Sequence, residues 1–212
     1  IDAILPWKQV VDPGHYVPDH IPEPDVAAEL KAFKVADGFE INLFAADPMI
    51  NKPVNMNWDT RGRLWVSGST TYPHNKPGRP PNDRIIILED TDHDGRADRS
   101  TLFAEGLLLP HSVMPVAGGA YVCSATEFIH LIDKDDDDHA ESRRVVYSGF
   151  GNADVHQMIH GLTWAPWGEL YFTQSIYINS FVETPWGPRR LNGSGVWRFR
   201  PETEKLDIYT RG

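Results

Sequence analysis

Residues 151–172, GNADVHQMIHGLTWAPWGELYF, bring Asp154, His156, Gln157 and His160 within seven positions of one another. Histidine exchanges its proton near neutral pH, and a carboxylate beside it orients the ring and leaves the other nitrogen free to accept a proton. The chemistry expected of this segment is general-base catalysis, with His156 or His160 as the base and Asp154 as the orienting partner. The competing reading is a strand-start histidine that only hydrogen-bonds, with His160, Leu162 and Trp164 alternating on one packed face. His74 and His111 are weaker members of the same histidine set. Gln157 and His111 are candidate contacts to a bound cofactor. The adjacent Arg189 and Arg190 are of the type that grips an anionic group.

A second kind of chemistry is written in two acidic runs, DTDHDGRAD at 90–98 and DKDDDDHAE at 133–141. Hard divalent cations take six to eight oxygen ligands, and calcium loops supply them from alternate positions around a glycine that allows a sharp bend. In the first run Asp90, Asp92, Asp94 and Asp98 hold such positions, Gly95 is the glycine and Arg96 offers its carbonyl. Thr101 stands where a calcium loop would place its terminal glutamate. The second run offers Asp133, Asp135, Asp137 and Glu141, with Asp138 in place of the glycine. Both are expected to hold structural calcium. A solvated, self-repelling turn is the plain alternative.

The two runs lie 43 residues apart, and the similarity extends on either side: RIIILED over EFIHLID, and TLFAEGL over VVYSGFG. A third copy, VWRFRPETEKLDIYTRG at 196–212, has a shorter neutral turn. Each copy follows a glycine turn and an apolar-aromatic strand: NWDTRGRLWVSGS, MPVAGGAYVCSAT and TWAPWGELYFTQS. A period in the forties with four short strands per unit predicts an all-β protein, a β-propeller segment of about three four-stranded blades. The blades are expected over about 52–106, 107–149 and 150–212, and three blades are half of a six-bladed ring. Residues 39–46 (FEINLFAA) read as a closing strand, so that 38–212 form the partial propeller. Residues 1–37 read as an extended N-terminal arm followed by a short helix that starts near Pro24 or Asp25. In such a blade the turns after strands one and three share one face of the disc. The acidic turns therefore fall on that face. The inter-blade links and the inserts at 70–82 and 176–194 fall on the other, which gathers His74, His111, His156 and His160 at the mouth of the central channel.

Composition narrows the partners. With 20 basic against 30 acidic residues the net charge is −10, so nucleic acid is excluded, since phosphate binding needs a basic footprint. No apolar stretch is long enough for a transmembrane segment, and no signal pattern opens the chain. The single cysteine, Cys123, forbids an internal disulfide. No phosphate-cradling glycine loop, Ser-His-Asp spacing or CxxCH haem motif occurs.

FEINLFAADPMINKPVNMNWDTRGRLWV, DRIIILEDTDHDGRAD and HGLTWAPWGELYF together resemble a bacterial family of membrane-bound dehydrogenases abundant in planctomycetes. Its propeller is similar to that of the soluble quinoprotein glucose dehydrogenases. The resemblance implies a periplasmic or exported dehydrogenase acting on a small-molecule sugar or other alcohol. In it a histidine takes the hydroxyl proton and hydride passes to pyrroloquinoline quinone polarised by calcium. VHQMIHGLTWAP is one residue longer than the corresponding H-Q-x-G-x-L segment, which leaves His156 and His160 both open as the base. The resemblance also implies partners: the remaining propeller blades, from further sequence or a second chain, and a c-type cytochrome as electron acceptor. The readings from other classes are a non-catalytic propeller that binds carbohydrate or protein, and a metal-dependent lactonase-like hydrolase.

Overall fold

The computed structural model describes residues 25–73, 75–76 and 78–212, which fall into two compact units divided after Asn42. Most of the expected N-terminal arm and His74 lie outside the described residues. In the first unit α1 (Val26–Ala32) is capped by Asp25, whose carboxylate accepts the Ala28 N–H at 3.0 Å. None of its residues is buried, so its apolar positions Val26 and Leu30 stay at least partly open to solvent. No helix among the described residues is long and apolar enough to cross a membrane.

The second unit is built of antiparallel sheets. Three are four-stranded meanders: β1 (Pro53–Trp58), β2 (Leu64–Gly68), β3 (Asp83–Glu89) and β4 (Arg99–Leu107); then β5 (Pro110–Val116), β6 (Gly119–Ser124), β7 (Glu127–Ile132) and β8 (Ser142–Ser148); then β9 (His160–Trp164), β10 (Leu170–Gln174), β13 (Gly195–Arg200) and β14 (Lys205–Arg211). The fourth sheet is a hairpin, β11 (Asn179–Val182) with β12 (Arg189–Asn192), inserted between β10 and β13. Each of the three units expected over about 52–106, 107–149 and 150–212 holds one of these four-stranded meanders.

Apolar faces of successive sheets bury one another. Trp65, Ile85 and Ile87 of the first meander pack with Val113, Val122 and Ile129 of the second. Between the second and third, Phe128 stacks on Phe172 at 5.2 Å and meets Phe199 edge-on at 5.0 Å. The second strands, LWVSG and GAYVCS, are buried along their whole length because both of their faces are covered. Gly119 must be glycine: with φ +138°, a Cβ there would stand 2.0 Å from the Leu131 carbonyl oxygen.

The first strands of the three meanders lie side by side and are laced by side chains. The Asn55 Oδ1 accepts the Val113 N–H at 3.1 Å and the Ser112 hydroxyl at 3.2 Å, and the Asn57 amide donates to the Val113 carbonyl at 2.7 Å. Ser112 Oγ in turn accepts the Leu162 N–H at 3.0 Å. These bonds satisfy backbone groups that an edge strand would otherwise leave unpaired.

Two expectations are corrected. Residues 39–46 form no strand. The first meander is already complete, so residues 43–50 instead lay Phe44, Met49 and Ile50 over Leu64, Val66 and Leu88 on its outer face, with one backbone bond from Ala97 to Phe44 at 2.8 Å. The insert at 176–194 is not an open loop. Its hairpin is pinned by buried Gln174, whose amide donates to the carbonyls of Ile178, Leu191 and Gly193, while its oxygen accepts from Ser180 and Trp197.

Candidate functional site

A cavity of about 370 Å³ opens at the start of the three first strands, lined by Asn55, Tyr72, His111, His156, Met158 and His160 among others. A second, of about 560 Å³, opens at their far ends, between Trp58, Met114 and Trp164, and is bordered by Asp133, Asp136 and Asp138. The strands therefore run from one cavity to the other. His111 and Val116, at the two ends of β5, are separated by about 16 Å of extended chain. The histidines and the acidic turns lie on opposite faces, as the four-strand repeat requires.

His156 sits on a single 3-10 turn, Val155–Gln157, capped by Asp154. The Asp154 carboxylate accepts the His156 backbone N–H at 2.9 Å and faces its Nδ1 at 3.1 Å. Those two bonds hold the Asp154 carboxyl below its usual pKa, so it is charged at neutral pH. Nδ1 then carries the proton, and Nε2 of the exposed ring is left as the free acceptor. Tyr72 fixes the ring from the side, its own ring edge-on to His156 at 5.4 Å and to His111 at 6.0 Å. Lys52 buttresses Tyr72 by donating to its carbonyl.

His160 differs. Its Nδ1 donates to the Met158 carbonyl at 2.6 Å and its Nε2 meets the Thr173 hydroxyl at 3.2 Å. Both nitrogens are committed to backbone and strand β10, so His160 reads as a structural residue of the cavity wall. His111 is the reverse case, with both ring nitrogens buried and without a hydrogen-bond partner among the described residues. Burial, reinforced by repulsion from His160 and His156 and opposed by Asp83, pushes His111 down to about 4. It stays neutral at physiological pH. The unfolded chain binds this proton below its ordinary value near 6.5. Stability is therefore full above that value and falls as pH drops toward 4. Discounted for partial exposure, the loss is about 1–2 kcal/mol. A His111→Gln variant will show a correspondingly flatter urea midpoint between pH 6.5 and 4.5, and parallel curves would refute the assignment.

Three expected contacts do not reach this cavity. Gln157 acts through its backbone, its carbonyl accepting the Ser175 N–H at 3.0 Å, and its side chain does not line the cavity. Arg189 pairs with Asp207 at 3.3 Å, and the Arg190 guanidinium lies 4.5 Å over the Phe181 ring. Hairpin β11–β12 folds back along β14 rather than over the histidines, and carries both arginines with it.

The domain family described as a domain of unknown function, DUF7133, matches residues 25–212. The chain belongs to the DUF7133 family. No curated protein matches it.

In this DUF7133 chain the acidic turns repeat one conformation as well as one composition. His93 and Gly95 in the first turn, and Asp136 and Asp138 in the second, all adopt positive φ at the same offset of 43. Asp90 accepts the N–H groups of Asp94 and Gly95 as Asp133 accepts those of Asp137 and Asp138. Carboxylate oxygens of Asp90, Asp92 and Asp98 gather within 4.8 Å, and so do those of Asp133, Asp135, Asp137 and Glu141. Asp94 is not among the carboxylates gathered in the first turn, and accepts the Arg96 N–H at 2.8 Å. Glu141 and the nearby Asp137 charge raise the Asp135 carboxyl, a sign of crowded oxygens. Asp138, left-handed in place of glycine, is held by buried Arg63 through two oxygens at 2.8 and 2.7 Å. Arg63 also bonds Asp59 at 2.9 Å and so ties the β1–β2 turn to the second acidic turn.

The residue that sequence reasoning missed is Asp83. It is wholly buried, and its carboxylate accepts five bonds: from the hydroxyls of Ser69, Thr70 and Thr71 and the N–H groups of Thr71 and Leu109. Those partners flank Tyr72 and His111. The available signal was a carboxylate opening the strand DRIIIL, ahead of its apolar run.

Proposed function

We propose that this DUF7133 chain forms three blades of a β-propeller, half of a six-bladed ring. Its histidine-face cavity takes a small hydroxyl-bearing substrate, a sugar or other alcohol, and His156 is the base. The observation that carries this reading is the His156 ring, fixed through Nδ1 by Asp154 with Nε2 free at the cavity. The substrate O–H proton would pass to Nε2 of His156. In the dehydrogenase reading, hydride from the same carbon leaves to an acceptor.

Pyrroloquinoline quinone does not fit the residues present. Its carboxylates call for cations, whereas His111 is neutral, Lys52 is engaged with Tyr72, and Arg189 and Arg190 lie elsewhere. In the reading drawn from the resemblance, later blades would supply its contacts, and a c-type cytochrome would be a separate electron acceptor. The test is substrate-dependent dye reduction by the complete protein, supplied with the quinone and calcium, against a panel of sugars and alcohols. Turnover supports the dehydrogenase. Lactone hydrolysis without dye reduction would replace it with a hydrolase, and ligand binding without any turnover with a recognition module.

The acidic turns are proposed to hold structural calcium, since each gathers three or four carboxylates around one point and supplies only oxygen donors. Calcium sites of this exposed kind suit an exported or periplasmic protein. Calcium at a hundredfold excess over its dissociation constant should raise the unfolding midpoint by about 5–10 °C relative to chelator. Coincident melting curves would remove the metal.

A further inference from the structure

The cavity opposite the histidines has no part in the proposed chemistry, and its lining is of a different kind. Trp58 and Trp164 close the first strands of the first and third meanders, and remain 57% and 39% exposed while lining it. The equivalent strand end between them carries the smaller Val116, and glycines 118 and 119 complete that wall without side chains. Trp58 is held in place by Phe44, edge-on at 5.7 Å. Two indoles therefore stand at one mouth with open space between them. At about 560 Å³ the space lies within the range of small-molecule sites.

The polar groups around it decide the class of ligand. Asp59 is saturated by the Arg61 and Arg63 N–H groups, the Arg63 Nε and the Trp65 indole N–H. Asp138 is committed to Arg63, and Asp133 to backbone N–H groups of its own turn. The aspartates that face the mouth are already tied to guanidinium or backbone N–H groups, Asp133 on the side of the proposed calcium cluster, and together they repel an anion. What remains is Arg61 with Asp136, an ion pair at 2.5 Å exposed on both sides. It presents donors and acceptors next to each other and is cheap to open.

We propose that this mouth is a binding site for a neutral saccharide. One sugar ring lays its apolar C–H face on Trp58 and the next on Trp164, and their hydroxyls exchange with the Arg61–Asp136 pair. The site does not depend on the proton-transfer reading of the histidine face. Calorimetric titration of the complete protein with cellobiose, maltose and xylobiose tests it, with choline as the cationic comparison. At least one disaccharide will bind. Trp164→Ala and Trp58→Ala will each weaken that binding by about tenfold or more. Trp164→Phe, which keeps an aromatic face, will stay within about threefold of the original protein. Arg61→Gln alters only exposed polar groups, so it serves where an indole variant fails to fold, and it will weaken binding severalfold. Absence of heat with all three disaccharides, choline binding in their place, or full affinity in the alanine variants would overturn the site.

Discussion

Replacing His156 with asparagine will reduce turnover by about 10²–10⁴-fold, the usual contribution of a positioned general base, without moving the unfolding midpoint. Asparagine can still donate to Asp154, so the 3-10 turn keeps its cap, but it offers no nitrogen able to take a proton. The ring is exposed and meets Tyr72 edge-on, so its replacement should cost little stability. Asp154→Asn should behave as loss of a positioning residue. Its carboxylate is held charged by two His156 N–H bonds, and an amide in its place fixes the ring less well. The loss will fall on kcat with KM nearly unchanged. His160→Gln should do the opposite, because both His160 nitrogens serve the fold: stability drops and the chemistry survives in what remains folded. Turnover in His156→Asn within threefold of the original protein would transfer the role elsewhere.

The architecture was legible because one unit is written three times. Repetition at 43 residues fixes strand number, strand order and the side of each turn, and hence the separation of histidines from acidic bends. Even the backbone of the acidic turns repeats, down to left-handed His93 and Gly95 against Asp136 and Asp138. Local composition cannot say which side chains those bends recruit. Asp138 occupies a glycine position because buried Arg63, 75 residues earlier in sequence, needs its carboxylate.

What stayed hidden depends on contacts far apart in sequence or on the path of an insert. FEINLFAA alternates like a strand, yet a strand needs an edge to pair with, and here the apolar half of the segment serves better as a cover for the outer face of the first meander. Arg189 and Arg190 follow a turn-rich stretch that reads as a loop. The direction of their hairpin is set by Gln174 and by buried Val182 and Leu191, none of which announces it. His156 and His160 could not be ranked from spacing alone. Their difference lies in partners: Asp154 leaves one nitrogen of His156 free, whereas Met158 and Thr173 occupy both of His160.

Asp83→Ala will destabilise the protein by about 3–5 kcal/mol, since it strands buried donors as well as removing their acceptor. Two of the five are backbone N–H groups, Thr71 at 3.0 Å and Leu109 at 2.9 Å, which no rotamer change can turn toward water. Leu109 is also buried at φ +47°, a conformation that a leucine holds only where its surroundings impose it. The same carboxylate joins the loop that carries Tyr72 to the link that precedes His111, so its loss will loosen the cavity before the whole chain unfolds. In urea titrations the midpoint will fall, and ring signals of Tyr72 and His111 will broaden at denaturant concentrations where the Phe128–Phe172 core is intact. Asp83→Asn keeps the shape and one acceptor oxygen but turns an amide N–H₂ toward donors, so it should recover only part of the loss. A fall below about 1 kcal/mol in the alanine variant would mean that the five donors find water instead, and that the wall between Tyr72 and His111 is held by packing rather than by this buried charge.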